Sequence, residues 1–134
     1  MDDLDRQIDS FLAAPAFGVA GASEDKRKYG HKVMVCYQQD GRKVYPINPK
    51  VDTVLGETCY ANISAIPDKL ESLSIITPPP VTEVLVDEAI KCGVKNIWMQ
   101  PGAESRAAVQ TAKDAGLNVI YGGPCLLVVL GYHE

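Results

Sequence analysis

Histidine is scarce in this chain: there are two in 134 residues, His31 and His133. A Ser/His/Asp or Cys/His nucleophilic arrangement has little to draw on, so hydrolytic chemistry is not expected. The four cysteines, Cys36, Cys59, Cys92 and Cys125, stand far apart, and none forms a C-x-x-C pair or adjoins a histidine. Such spacing points to neither a zinc site nor a disulfide scaffold. Basic residues are in the minority, 13 Lys+Arg against 17 Asp+Glu for a net charge of −4. A general nucleic-acid binder is therefore not expected, because that affinity rests on neutralising phosphates. At the front, Met1-Asp2-Asp3-Leu4-Asp5 carries three acids where a secretory leader needs basic and then apolar residues. The longest uncharged stretch, 115–132, is broken by Asn118 and by Gly122-Gly123-Pro124, a poor match to a membrane span of about 20 apolar residues. A cytoplasmic protein, away from membranes, is the expectation.

What is present is 46% apolar and 22% charged, the composition of a soluble globular protein, and the length leaves room for one domain over 1–134. Short apolar runs alternate with amphipathic stretches. Leu4, Ile8, Phe11 and Leu12 recur at helical spacing behind acids that suit a helix N-terminus, and Pro15 closes that element. Strands are expected at 17–22, 44–48, 73–77, 96–99 and 118–121. Gly41, Gly93 and Gly116 each stand between a helical stretch and the next strand, as a helix C-cap does. Alternation with such short connections predicts an α/β fold. It is a three-layer, doubly wound sheet of about five parallel strands with helices on both faces. Residues 50–72 are the least regular and read as a loop with one short helix near 64–66.

In an open parallel sheet, ligands sit outside the carboxyl ends of the strands, near the point where strand order reverses. The expected tips are Gly21-Ala22-Ser23, Asn48-Pro49-Lys50, Thr77-Pro78-Pro79-Pro80, Gln100-Pro101-Gly102 and Gly122-Gly123-Pro124-Cys125. At the first tip, small residues let a phosphate approach backbone N–H groups with a helix N-terminus behind them. The spacing is G-x-x-G rather than the dinucleotide fingerprint, and packing of strand on helix explains these glycines equally well. Lys26, Arg27, Lys28, Lys32, Arg42, Lys43 and Lys50 crowd positions 24–50, opposed by Glu24, Asp25 and Asp40. That concentration of positive charge suits a phosphorylated ligand. An NAD site usually carries an acid at the second tip. Here Lys50 stands there instead, which suits a phosphate on the adenosine ribose, carried by both NADP and coenzyme A. The residues alone leave those two open.

Five strings in order resemble the coenzyme A-binding domain family, whose larger relatives include the N-terminal domain of the succinyl-CoA synthetase alpha subunit. They are Gly21-Ala22-Ser23 with Lys28-Tyr29-Gly30, then Val44-Tyr45-Pro46-Ile47-Asn48-Pro49-Lys50, Thr77-Pro78-Pro79, Ile97-Trp98-Met99-Gln100 with Gly102, and Gly122-Gly123-Pro124-Cys125. The resemblance covers nearly the whole chain and implies a Rossmann-like fold. It implies that Gly21, Ala22 and Ser23 hold the pyrophosphate of coenzyme A with Lys28 over it. Asn48, Pro49 and Lys50 would flank the adenosine and its phosphate, while Thr77, Pro78 and Pro79 would wall the nucleotide and the start of the pantetheine arm. Pro80 reads as an ordinary helix-start proline. Cys125 resembles a family cysteine near the ligand thiol, where a mixed disulfide with coenzyme A and a buried inert thiol are both open readings. Neither histidine matches the phosphorylated one of the synthetases, and an exposed or capping role is expected for His31. Tyr45, Trp98 and Tyr121 are expected in the core rather than on adenine. The expected function is binding of coenzyme A or acyl-CoA without catalysis, as a carrier, sensor or regulatory module, with a protein partner not identified. The alternatives are an NADP-dependent oxidoreductase or redox sensor, and a subunit of an acyl-CoA enzyme to which the apolar tail 126–130 could dock.

Overall fold

Strands covered on both faces read as unbroken apolar runs rather than as alternations, and that is how this sheet is written. The computed structural model describes residues 3–132, so His133 lies outside the described residues. The chain runs through α1 (Asp3–Leu12), β1 (Phe17–Ala20), α2 (Tyr29–Gln39), β2 (Val44–Ile47), a hairpin of β3 (Thr53–Val54) and β4 (Glu57–Thr58), and a 3-10 turn (Ile63–Ala65). It continues through β5 (Ser72–Ile75), α3 (Pro79–Lys91), β6 (Asn96–Met99), α4 (Arg106–Asp114), β7 (Asn118–Ile120) and α5 (Leu126–Val129). β1, β2, β5 and β6 are buried at every position.

The main sheet has the order β2-β1-β5-β6-β7, and all its pairings are parallel, with Phe17 opposite both Val44 and Ser72. Strand order therefore reverses between β1 and β5. From β1 the chain leaves through α2, whose Val33, Met34 and Tyr37 join Phe11 and Leu126 in one apolar cluster. After β5 it leaves through α3 and α4, whose Val86, Ala89, Ala108 and Ala112 build the cluster on the other face. Helices thus cover both faces, giving the expected Rossmann-like α/β architecture. Gly41, Gly93 and Gly116 have φ of 70°, 81° and 81°, the left-handed backbone that ends each helix at little steric cost.

Two expectations, on residues 50–72 and on Tyr121, are corrected, and the apolar tail takes helical form. Residues 50–72 hold the β3–β4 hairpin as well as the short turn, because Tyr60 pairs along the outer edge of β2: its N–H donates to Pro46 O at 3.0 Å and its carbonyl accepts from Asn48 N–H at 2.9 Å. The apolar tail is a helix, α5, whose Leu126 is buried while Val128 is 79% exposed. Tyr121 is exposed, with Lys113 Nζ donating to its hydroxyl at 2.7 Å, whereas Tyr45 and Trp98 are buried. No helix among the described residues is long and apolar enough to cross a membrane.

Candidate functional site

At the strand-order reversal, β1 and β5 part company and their tips stay open. Gly21 N–H donates to Ile47 O at 3.1 Å and Ile76 N–H donates to Ala20 O at 2.9 Å, so both tips are held to the sheet. Gly21 turns there with φ +94°, and a Cβ on it would lie 3.1 Å from Ile76 O. α2 presses onto the back of this turn: a Cβ on Gly30 would lie 1.9 Å from Gly21 O. Both glycines are therefore needed by geometry, and their closeness brings the positive end of α2 against residues 21–23.

Side chains then fix the loop. Ser23 Oγ accepts the Asp25 N–H at 3.0 Å, and Asn48 Nδ2 donates to Ala22 O at 2.9 Å while its Oδ1 accepts the Lys50 N–H at 2.9 Å. Asn48 thereby ties the first two strand tips together, so its side chain acts on the loops. His31, expected to be exposed or capping, is 7% exposed, with Nδ1 3.1 Å from Ser23 O. Its ring is one more brace of the glycine turn.

The positive charge of 24–50 is distributed more narrowly than the sequence suggests. Arg27 is spent on Asp25, whose carboxyl its hydrogen bonds hold down at about 2. Arg42 pairs with Asp40 at 2.6 Å and Lys43 with Asp68 at 3.5 Å. Of the other four, Lys28 and Lys50 line one cleft of about 1300 Å³, and Lys26 and Lys32 do not. Helix α2 begins directly after Lys28 without a side-chain cap, an arrangement open to an anion. α3 differs: Pro79 and Pro80 occupy its first positions, where they offer no N–H. Its start is a wall rather than a set of donors.

The cleft gathers Gly21, Ala22, Ser23, Lys28, Asn48, Pro49, Lys50, Thr77 and Pro78. Pro79, also expected in the site, does not line it; as the first residue of α3 it serves the helix. Sequence reasoning missed the far half of the cleft, formed by Ala61, Asn62 and Ser64 facing Val81, Leu85 and Glu88. Lys91 and Cys92 close that end. Burial, and then the hydrogen bond it shares with Cys125, push the Tyr29 hydroxyl up. Tyr29 lines the cleft, and its hydroxyl touches Cys125 Sγ and reaches Gln100 Oε1 at 3.4 Å. Cys125 itself is half-buried behind Tyr29, and all four cysteines are free thiols.

A doubly wound sheet with a glycine turn, a helix N-terminus and lysines at its switch point defines a nucleotide-binding class of α/β domain. Within that class, the model of the CoA binding domain family matches residues 16–131, and the chain belongs to that family. It is 26% identical to acetate–CoA ligase [ADP-forming] II subunit alpha of Pyrococcus furiosus, over 94% of this chain and 30% of that protein. Among solved structures, a hypothetical protein of Pyrococcus horikoshii superposes with a TM-score of 0.88 at 31% identity, covering 95% of this chain and 89% of that one. A dinucleotide-forming acetyl-coenzyme A synthetase 1 of Ca. Korarchaeum cryptofilum, in complex with phosphate and ADP, superposes with a TM-score of 0.75 at 32% identity, over 92% of this chain and 28% of that one. The chain thus spans less than a third of the ligases it matches.

Proposed function

We propose that the cleft binds coenzyme A or an acyl-CoA, and that this chain acts as a carrier, sensor or regulatory module without catalytic groups of its own. The observation that carries the reading is the meeting, in one cleft, of the Gly21 turn, the uncapped start of α2 and two lysines on adjacent tips. In this reading the pyrophosphate lies on residues 21–23 with Lys28 over it, Lys50 takes the ribose phosphate, and Thr77 and Pro78 wall the nucleotide. Bound coenzyme A would supply a thiol for thioester chemistry. The chain's part is to hold phosphates and cover the nucleotide. His31 is turned onto Ser23 O rather than offered to the cleft, which supports binding without chemistry. Any acyl transfer would belong to a partner protein, a role in keeping with the ligase subunit among the relatives.

Titration calorimetry with coenzyme A, dephospho-coenzyme A, NAD and NADP tests the reading. Coenzyme A is expected to bind most tightly and to raise apparent stability by about 2.7 kcal/mol at a hundredfold excess over Kd. Replacing Lys50 with Ala is expected to cost about 1.5 to 3 kcal/mol for coenzyme A, roughly tenfold to hundredfold in Kd, and little for dephospho-coenzyme A. Tighter binding of NADP than of coenzyme A would overturn the assignment.

A further inference from the structure

The cleft has two walls from different parts of the chain, and one carboxylate is hydrogen-bonded across them. One wall is the exposed face of α3, where Val81 and Val84 are 46% and 68% exposed and Leu85 is half-buried. Opposite lie Ala61, Asn62 and Ser64, at the entry to the 3-10 turn. Glu88, on α3, reaches across: Oε1 accepts the Ile63 N–H at 3.1 Å and Oε2 accepts the Ser64 N–H at 3.4 Å. Asn62 completes the turn, its Oδ1 accepting the Ala65 N–H at 3.0 Å and the Ser64 hydroxyl at 2.8 Å. Upstream the same segment is held to β2 through Tyr60. Ile63 is anchored in the core, and the carboxylate holds the backbone of residues 63 and 64 against α3.

We propose that Glu88 is a positioning residue that fixes the width of this half of the cleft, and that the half so formed receives the adenosine arm of the ligand. The proposal rests on the coenzyme A reading above. Its second part follows from polarity: the phosphate donors cluster at the glycine turn and at Lys50, and beyond them the cleft runs between Ala61 and the side of α3 that carries Val81, Val84 and Leu85, with Asp87, Glu88 and Lys91 as the charged groups on that helix. Apolar walls with a few placed polar groups suit a flat heteroaromatic ring. The uncovered valines give such a ring an apolar surface to lie on. A hydrated pantetheine amide chain gains less from such a surface, because its own hydrogen-bonding groups would face aliphatic carbon.

Two fragments separate the arms: adenosine 3′,5′-bisphosphate and 4′-phosphopantetheine, each titrated into wild type and into Glu88→Ala, Glu88→Gln and Val84→Ser. Glu88→Ala is expected to weaken coenzyme A and the bisphosphate about tenfold and to leave phosphopantetheine unchanged. Glu88→Gln, which keeps one acceptor oxygen, is expected to recover part of the loss. Val84→Ser sits on a largely exposed position and leaves folding intact, so it keeps the test open if Glu88→Ala does not fold; it should weaken coenzyme A and the bisphosphate and leave phosphopantetheine unchanged. An unchanged bisphosphate affinity in the folded variants overturns the proposal, as does an equal loss for phosphopantetheine. Wild-type protein that takes up no coenzyme A overturns the parent reading instead, and this one falls with it.

Discussion

Gly30 sits in the first turn of α2, where alanine would ordinarily stabilise a helix by about 0.5 to 1 kcal/mol. The opposing term is larger. A Cβ 1.9 Å from Gly21 O meets backbone, which no rotamer change relieves, and overpacking of this kind costs about 1 to 3 kcal/mol or more. Gly30→Ala is therefore expected to lower stability in denaturant titration and to weaken coenzyme A binding more than tenfold, because relief requires α2 to back away from the glycine turn. A variant as stable as wild type with unaltered affinity would show that the close approach is dispensable. At this scale the positions of the turn glycines, Lys28 and Lys50 beside the strand ends were legible, because each stands at or soon after the end of an apolar run in the sequence. His31, Arg27 and Glu88 were not, because each is assigned by the direction its side chain takes. Arg27 and Lys28 are neighbours in sequence, yet one is turned onto Asp25 and the other toward the cleft.

Among the elements, α1 precedes the residues matched by the family, which begin at 16, yet it is firmly docked. Phe11 is 0% exposed and meets Trp98 edge-on at 5.3 Å and Phe17 at 5.6 Å. Polar bonds at the amino ends of three strands add to this: Ser72 Oγ donates to Phe11 O at 2.8 Å, Asn96 Nδ2 to Ser72 Oγ at 3.1 Å, and Asn118 Nδ2 to Gln7 O at 2.9 Å. Phe11→Ala is expected to cost about 3 to 5 kcal/mol, a large share of a total of about 5 to 15 kcal/mol. Affinity for coenzyme A in the folded fraction should not change, since the cleft lies at the carboxyl ends of the strands. Calorimetric unfolding and ligand titration of the same variant check both halves. The amphipathic pattern of α1 was plain in sequence because helical periodicity is a local property. The β3–β4 hairpin was not, since two-residue strands lack a period and are held by Tyr60 pairing with β2.

For the whole molecule, parallel strands with helices on both faces followed from the alternation of apolar runs and helices, whereas the order β2-β1-β5-β6-β7 and the place of the switch point did not, because alternation does not say which strands pair. Nor did the width of the cleft, because it depends on a crossover from β4 to β5 that folds back over α3 and shows no pattern of its own. Global stability carries a further consequence of how this core is built. The α2 side of the core buries ionisable side chains in neutral form: Cys36 is pushed up to about 11 mainly by burial, and Tyr37, fully enclosed, is raised as well. In the unfolded chain such thiols titrate near 8.5 and phenols near 10. Above the unfolded value the unfolded state has shed protons that the native state keeps, so stability falls as pH rises, until the folded value is passed. The contribution of Cys36 is complete below about pH 8.5 and is lost progressively toward about 11, with the tyrosines adding to the decline from about pH 10. Scanning calorimetry from neutral to alkaline pH is expected to show a falling Tm across this window. In Cys36→Ala the decline below about pH 10 should be shallower than in wild type, because the thiol is the first of these groups to titrate in the unfolded chain. Identical slopes for the two proteins would mean that the buried thiol does not couple to unfolding.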